Sequence, residues 1–135
     1  MASASVSTRT VLIADDTAFV RDRFQTALGN AGHRAIAVEH AAALLARLET
    51  QAGDVDLVVL DLRLADAEGV GVVRAIRRID GGRLPLLVFS GSIGSADEVR
   101  ELATLGVAGY INEYSALQHI MPALAPYLFP DSFNR

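Results

Sequence analysis

The chain contains no lysine. All 12 of its basic residues are arginines, so every fixed positive charge is a planar guanidinium rather than a compact ammonium. It also contains no cysteine, which excludes a disulfide framework and thiolate metal sites and agrees with a reducing, cytoplasmic setting. No apolar run reaches the roughly 18 residues of a membrane span. Residues 1–9 lack the apolar core of a secretory leader and read as a flexible N-terminal segment. A net charge of −4 with scattered arginines leaves no basic stripe for a phosphate backbone, so nucleic acid is not an expected partner. Arg74, Arg77 and Arg78 fall on the expected solvated side of one helix. His33, His40 and His119 lack metal-ligand spacing and are expected on or near the surface. There is no P-loop or nucleophile elbow, and no strand leads into Gly69-Val70-Gly71 to make it a dinucleotide fingerprint.

What is present is apolar and segmented. At 135 residues and 51% hydrophobic, the chain is expected to form one domain. Val11–Ala14, Ala35–Val38, Leu57–Leu60 and Leu86–Phe89 are short continuous apolar runs, and Gly109–Ile111 is a shorter fifth. Such runs suit parallel strands covered on both faces. Helical segments lie between them. Phe19, Phe24 and Leu28 form an apolar stripe closed by Gly32, Ala41–Leu48 is rich in good helix formers, and Val70–Ile79 carries Val72, Val73 and Ile76. Ser95-Ala96-Asp97-Glu98 reads as a capping box for a helix ending at Gly106, and Ser115–Gln118 as a second box. Pro122 should kink or split the last helix, and Pro126 should end it early.

Strands alternating with helices predict a doubly wound α/β domain, in which ligands bind beyond the carboxyl ends of the strands. Asp15, Asp16, Asp61, Ser90 and Glu113 all follow strands closely and should converge there. The three aspartates are hard oxygen donors of the kind that suit a hydrated magnesium ion.

These segments in register, from Val11-Leu12-Ile13-Ala14-Asp15-Asp16 through Leu57–Asp61 and Leu86–Ser90 to Ala108–Glu113, resemble the receiver domain (CheY-like) of bacterial two-component response regulators. The resemblance implies a flavodoxin-like five-stranded parallel sheet of order 2-1-3-4-5 with five helices, spanning residues 10–128. Residues 129–135 would be a tail or a linker toward an output domain. Asp61 would be the phosphoacceptor. Asp16, Asp61 and the backbone carbonyl of Arg63 would hold Mg2+, with Asp15 acting mostly through water. Ser90 would bond a phosphoryl oxygen, Tyr110 would be the aromatic switch, and Gly69 would open the third helix. A sensor histidine kinase would be the phosphodonor. A partner or output domain would dock on the fourth helix, fifth strand and fifth helix.

The family's lysine position holds Glu113, its usual loop proline is Ala65, the proline after the lysine is Tyr114, and the small alanine after the hydroxyl residue is Gly91. Arg63 is the basic residue nearest the site in sequence, with Glu113 or Glu68 as its expected partner. Three functions are open at this point. One is a pseudo-receiver acting by constitutive binding, and the second is a phosphorylatable, magnesium-dependent receiver. The third is a small magnesium-dependent phosphohydrolase, weakened by the lack of an Asp-x-Asp pair and of room for a cap.

Overall fold

The computed structural model describes residues 8–90, 95–112 and 117–129. Five strands, β1 (Thr10–Ala14), β2 (Arg34–Val38), β3 (Leu57–Asp61), β4 (Leu86–Ser90) and β5 (Gly109–Asn112), form one sheet of order β2-β1-β3-β4-β5. Every pairing is parallel, with Val11 opposite Leu57, Val58 opposite Leu86 and Leu87 opposite Gly109. Between them run α1 (Ala18–Asn30), α2 (Ala41–Gln51), α3 (Gly69–Asp80) and α4 (Ala96–Thr104), and α5 (Ile120–Leu128) follows the last strand. None of the described helices is long and apolar enough to cross a membrane.

Strand residues alternate between two cores, as the period-2 geometry of a strand requires. Leu12, Val58, Leu60 and Val88 face α2, α3 and α4, where Leu44, Leu48, Val73, Ile76 and Leu102 are buried. Val11, Ile13, Val59 and Phe89 face α1 and α5, where Val20, Phe24, Leu28 and Leu124 are buried. Phe24 meets Phe89 edge to face at 5.3 Å. Both faces of the sheet are therefore sealed, and polar residues are left to gather at its ends.

Three expectations of exposure and burial are corrected. Phe19 is 62% exposed and stacks under Arg23, while Val20 takes its place in the stripe. Val20 lies four residues before Phe24 and so shares its face, whereas Phe19, five before, is rotated off it. His33 is buried: its Nδ1 accepts from the Arg9 N–H at 3.1 Å, and its ring lies against Phe129. Arg77 is not solvated: its guanidinium donates to the Leu84, Leu105 and Gly106 carbonyls and pairs with Asp80.

The last helix divides ahead of Pro122. Leu117 and Gln118 are helical, His119 breaks the run, and α5 restarts at Ile120, which places Pro122 in the first turn where its missing N–H costs no bond. Pro126 does not end α5, which continues two residues to Leu128. Ser115 and Ala116 lie outside the described residues.

Candidate functional site

β1 and β3 are neighbours, so their carboxyl ends place Asp15, Asp16 and Asp61 side by side. One oxygen from each lies within 4.8 Å of the others. Asp15 is buried, Asp61 half-buried and Asp16 exposed, which grades the cluster from interior to rim. Asp15 Oδ1 accepts from the Thr17 N–H at 2.8 Å, and its backbone carbonyl accepts from Arg21 at 2.8 Å. Asp61 Oδ1 accepts from the Arg63 N–H at 2.9 Å.

Burial raises the Asp61 pKa above the ordinary carboxylate value of 3.8, and the charge of Asp16 adds to the rise. The Arg63 N–H, a hydrogen bond with Asp15 and the Arg63 charge oppose it. Three crowded carboxylates ionise cheaply only beside a cation. The donor set is all hard oxygen and of mixed exposure, which fits a small divalent ion that keeps part of its water.

Ser90, half-buried, ends β4 opposite the exposed Asn112. Tyr110 stands in β5 with its ring turned out, 40% exposed. Its pKa is raised by partial burial and by the charge of Glu98. Glu113, Tyr114 and Gly91 lie outside the described residues, so of the expected site residues the structure brings Asp15, Asp16 and Asp61 together and leaves Glu113 unplaced.

The loop between β3 and α3 is tied on both sides. Arg63 pairs with Glu98 of α4 rather than with Glu68, through two contacts of 3.2 Å. Asp66 accepts from the Ala41 and Ala42 N–H groups at 3.0 and 3.1 Å and so caps α2, whose own N-cap residue, His40, makes no side-chain cap. Gly69 is buried at the start of α3, where a Cβ would overlap Leu62 Cδ2 and come 3.0 Å from the Leu62 carbonyl oxygen. That close approach is the physical reason for a glycine here. An open cleft of about 780 Å³ lies between this loop and α4, with Arg63, Asp66, Arg74, Glu98 and Glu101 on its walls. The three clustered aspartates do not line it.

Sequence reasoning missed Glu98, Asp66 and Arg21. Glu98 was legible only as half of a capping box. The structure keeps one half, Ser95 Oγ accepting from the Glu98 N–H at 3.1 Å, but turns both carboxylate oxygens toward Arg63.

A doubly wound parallel sheet with an acidic cluster beyond the carboxyl ends of its strands defines a class of α/β domain whose ligand site lies at that edge. Within that class the chain belongs to the response regulator receiver domain family, which matches residues 11–125. It is 32% identical over 125 residues to the sensor histidine kinase AruS of Pseudomonas aeruginosa, covering 90% of this chain and 12% of that protein. It is 30% identical over 111 residues to the virulence transcriptional regulatory protein PhoP of Salmonella typhimurium, covering 82% of this chain and 48% of that protein. The chain thus spans about half the length, or less, of these curated relatives. Among solved structures, Vibrio cholerae chemotaxis protein CheY4 superimposes with a TM-score of 0.78 at 20% identity, covering 90% of this chain and all of that one. The non-phosphorylated HemR receiver domain of Leptospira biflexa gives 0.78 at 23%, covering 90% and 95%. At these identities the two structures speak for the fold.

Proposed function

We propose that this receiver has a degenerate phosphoacceptor site and acts by binding a partner rather than through a long-lived phosphoryl group. The observation that carries the reading is Glu113, which stands at the family's lysine position in a chain without a single lysine.

The chemistry that Asp61 would perform is simple. A carboxylate oxygen attacks the phosphorus of a donor such as acetyl phosphate, the bond from phosphorus to the acetyl oxygen breaks, and acetate leaves with the electron pair. Water later attacks the phosphorus, releasing inorganic phosphate and restoring the carboxylate. Asp16, Asp61 and the Arg63 carbonyl would hold magnesium, with Asp15 acting through water; bound there, the ion supplies positive charge against the phosphoryl oxygens. The Ser90 hydroxyl would donate to one of those oxygens.

A carboxylate about 4 Å from a phosphoryl charge costs roughly 4 kcal/mol per charge pair at an effective dielectric of about 20, and a lysine at that place would gain a similar amount. Solvent and metal absorb part of this difference. The remainder falls on the phosphoryl state, shortening its life.

The names of AruS and PhoP, a sensor histidine kinase and a transcriptional regulatory protein, support a kinase as donor and a regulatory output; the partner would dock on the surface of α4, β5 and α5. The gathered Asp15, Asp16 and Asp61 favour a second reading, a fully phosphorylatable receiver. Intact-mass measurement of the chain with acetyl phosphate and magnesium separates them. The degenerate reading expects little stable adduct. A persistent adduct that Asp61→Asn removes would establish the second.

A further inference from the structure

We infer that Arg63 is the cation able to serve the phosphoacceptor and that Glu98 withholds it; the inference rests on the reading that a phosphoryl group on Asp61 is poorly retained. The backbone of Arg63 is pinned beside the acceptor, since its N–H donates to Asp61 Oδ1 at 2.9 Å. Its long, flexible side chain is therefore rooted next to the atom that would carry the phosphoryl group. That side chain leads away from the site, to a two-point contact with Glu98 at 3.2 Å each.

The other described arginines around the site are committed in other ways. Arg21 donates to the Asp15 carbonyl, Arg74 pairs with Glu101, and Arg77 donates to three backbone carbonyls. The charge of Arg63 opposes the burial-driven rise of the Asp61 pKa, and the Arg63 pKa is raised by the Glu98 hydrogen bond, foremost, and then by the charges of Glu98 and Asp61.

The hold is of a kind that can be exchanged. The side chains of Arg63 and Glu98 are 45% and 20% exposed, so solvent screens the pair and its net strength is small. A phosphoryl group offers more negative charge and a matching set of acceptor oxygens for the planar guanidinium. Glu98 thus competes with the phosphoryl group for one cation, and occupancy at Asp61 is linked to the first turn of α4. By reciprocity, whatever favours the Arg63–Glu98 pair disfavours phosphoryl retention to the same extent. A Glu98 left unpaired would stand near the Tyr110 hydroxyl, whose ionisation it already opposes.

The test uses the whole chain with acetyl phosphate and magnesium. Adduct occupancy and its half-life after donor removal are read by intact mass, with Asp61→Asn as the site control. Glu98→Gln keeps the backbone N–H that Ser95 caps while removing the charge that holds Arg63. It should raise occupancy or half-life several-fold over wild type, and adding Arg63→Gln should return both to the wild-type level. Occupancy unchanged in Glu98→Gln, or a gain that survives Arg63→Gln, would overturn the assignment. Glu113→Lys in parallel keeps the two claims apart. Adduct there but none in Glu98→Gln sinks the role of Arg63 and leaves the degenerate site standing. Adduct in Glu98→Gln that needs Arg63, with none in Glu113→Lys, supports Arg63 and sinks the account built on Glu113.

Discussion

An arginine ties each end of α4 to its surroundings, and the two ties differ in kind. At the C-terminal end Arg77 reaches from α3 to the Leu105 and Gly106 carbonyls at 2.7 and 2.9 Å, to the Leu84 carbonyl at 2.8 Å and to Asp80 at 3.0 Å. Its side chain is 12% exposed and that of Asp80 is fully buried, Asp80 also accepting from the Gly82 and Leu84 N–H groups. At the N-terminal end the Arg63 side chain has one partner among the described residues, Glu98, at a wet rim. The same guanidinium is a permanent staple where it is dry and bound to three carbonyls and a buried carboxylate. Where it is exposed and held by one carboxylate, it can be traded. The end of α4 tied to the Asp61 loop is the tradable one.

Mutation can break this contrast at its strong end first. Arg77→Ala strips three carbonyls of a donor and leaves Asp80 buried with only backbone partners, so a loss of about 3 kcal/mol is expected by urea or thermal unfolding. Glu98→Gln should cost under about 1 kcal/mol in the same assay, as exposed pairs do. Equal losses would erase the distinction.

A middle case is Asp66, an exposed carboxylate that caps α2 from a neighbouring loop. Asp66→Ala should cost about 1 kcal/mol, the usual worth of a cap. The Ala41 N–H, foremost, and then the Ala42 N–H hold the Asp66 pKa below the ordinary 3.8. Its contribution is therefore present above that value and lost as the pH falls through the folded-state pKa. Melts of the mutant and wild type should converge in acid. A gap that persists at the lowest pH would show that the cap is not electrostatic.

The smallest expected effect has the opposite sign. Burial, foremost, and the Asp16 charge raise the Asp61 pKa, so the fold prefers the neutral acid. That preference is fully expressed below 3.8 and lost as the pH rises through the folded-state value. Asp61→Asn should therefore melt slightly higher than wild type at neutral pH without metal, and the advantage should vanish in acid. Magnesium should narrow it by neutralising the wild-type cluster. A mutant that melts lower at neutral pH would contradict the crowding of these carboxylates.

Much of this was legible in the chain because sealed parallel strands are written as uninterrupted apolar runs. Val11–Ala14, Leu57–Leu60 and Leu86–Phe89 each fall within a residue of the observed strand bounds. The aspartates were legible because they stand directly after those runs. What failed depended on approach between distant segments. Arg77 looks solvated on a helical wheel, and only the packing of the loops after α3 and α4 brings carbonyls to it. His33 is buried by Arg9 and Phe129, which no local pattern announces. Phe19 was misplaced by helical phase alone, one residue from the correct stripe. The Arg63–Glu98 pair needed two facts at once, that a capping-box glutamate sits at the carboxyl edge of the sheet and that its carboxylate looks outward.

The central claim, that Glu113 denies the phosphoryl group a cation, is tested most directly by one paired measurement. Wild type and Glu113→Lys are incubated with acetyl phosphate and magnesium, and the phosphoryl adduct is quantified by intact mass. The account predicts little stable adduct on wild type and a clear one on Glu113→Lys that disappears when Asp61→Asn is added. Equal and ready phosphorylation of wild type and Glu113→Lys on Asp61 would contradict it.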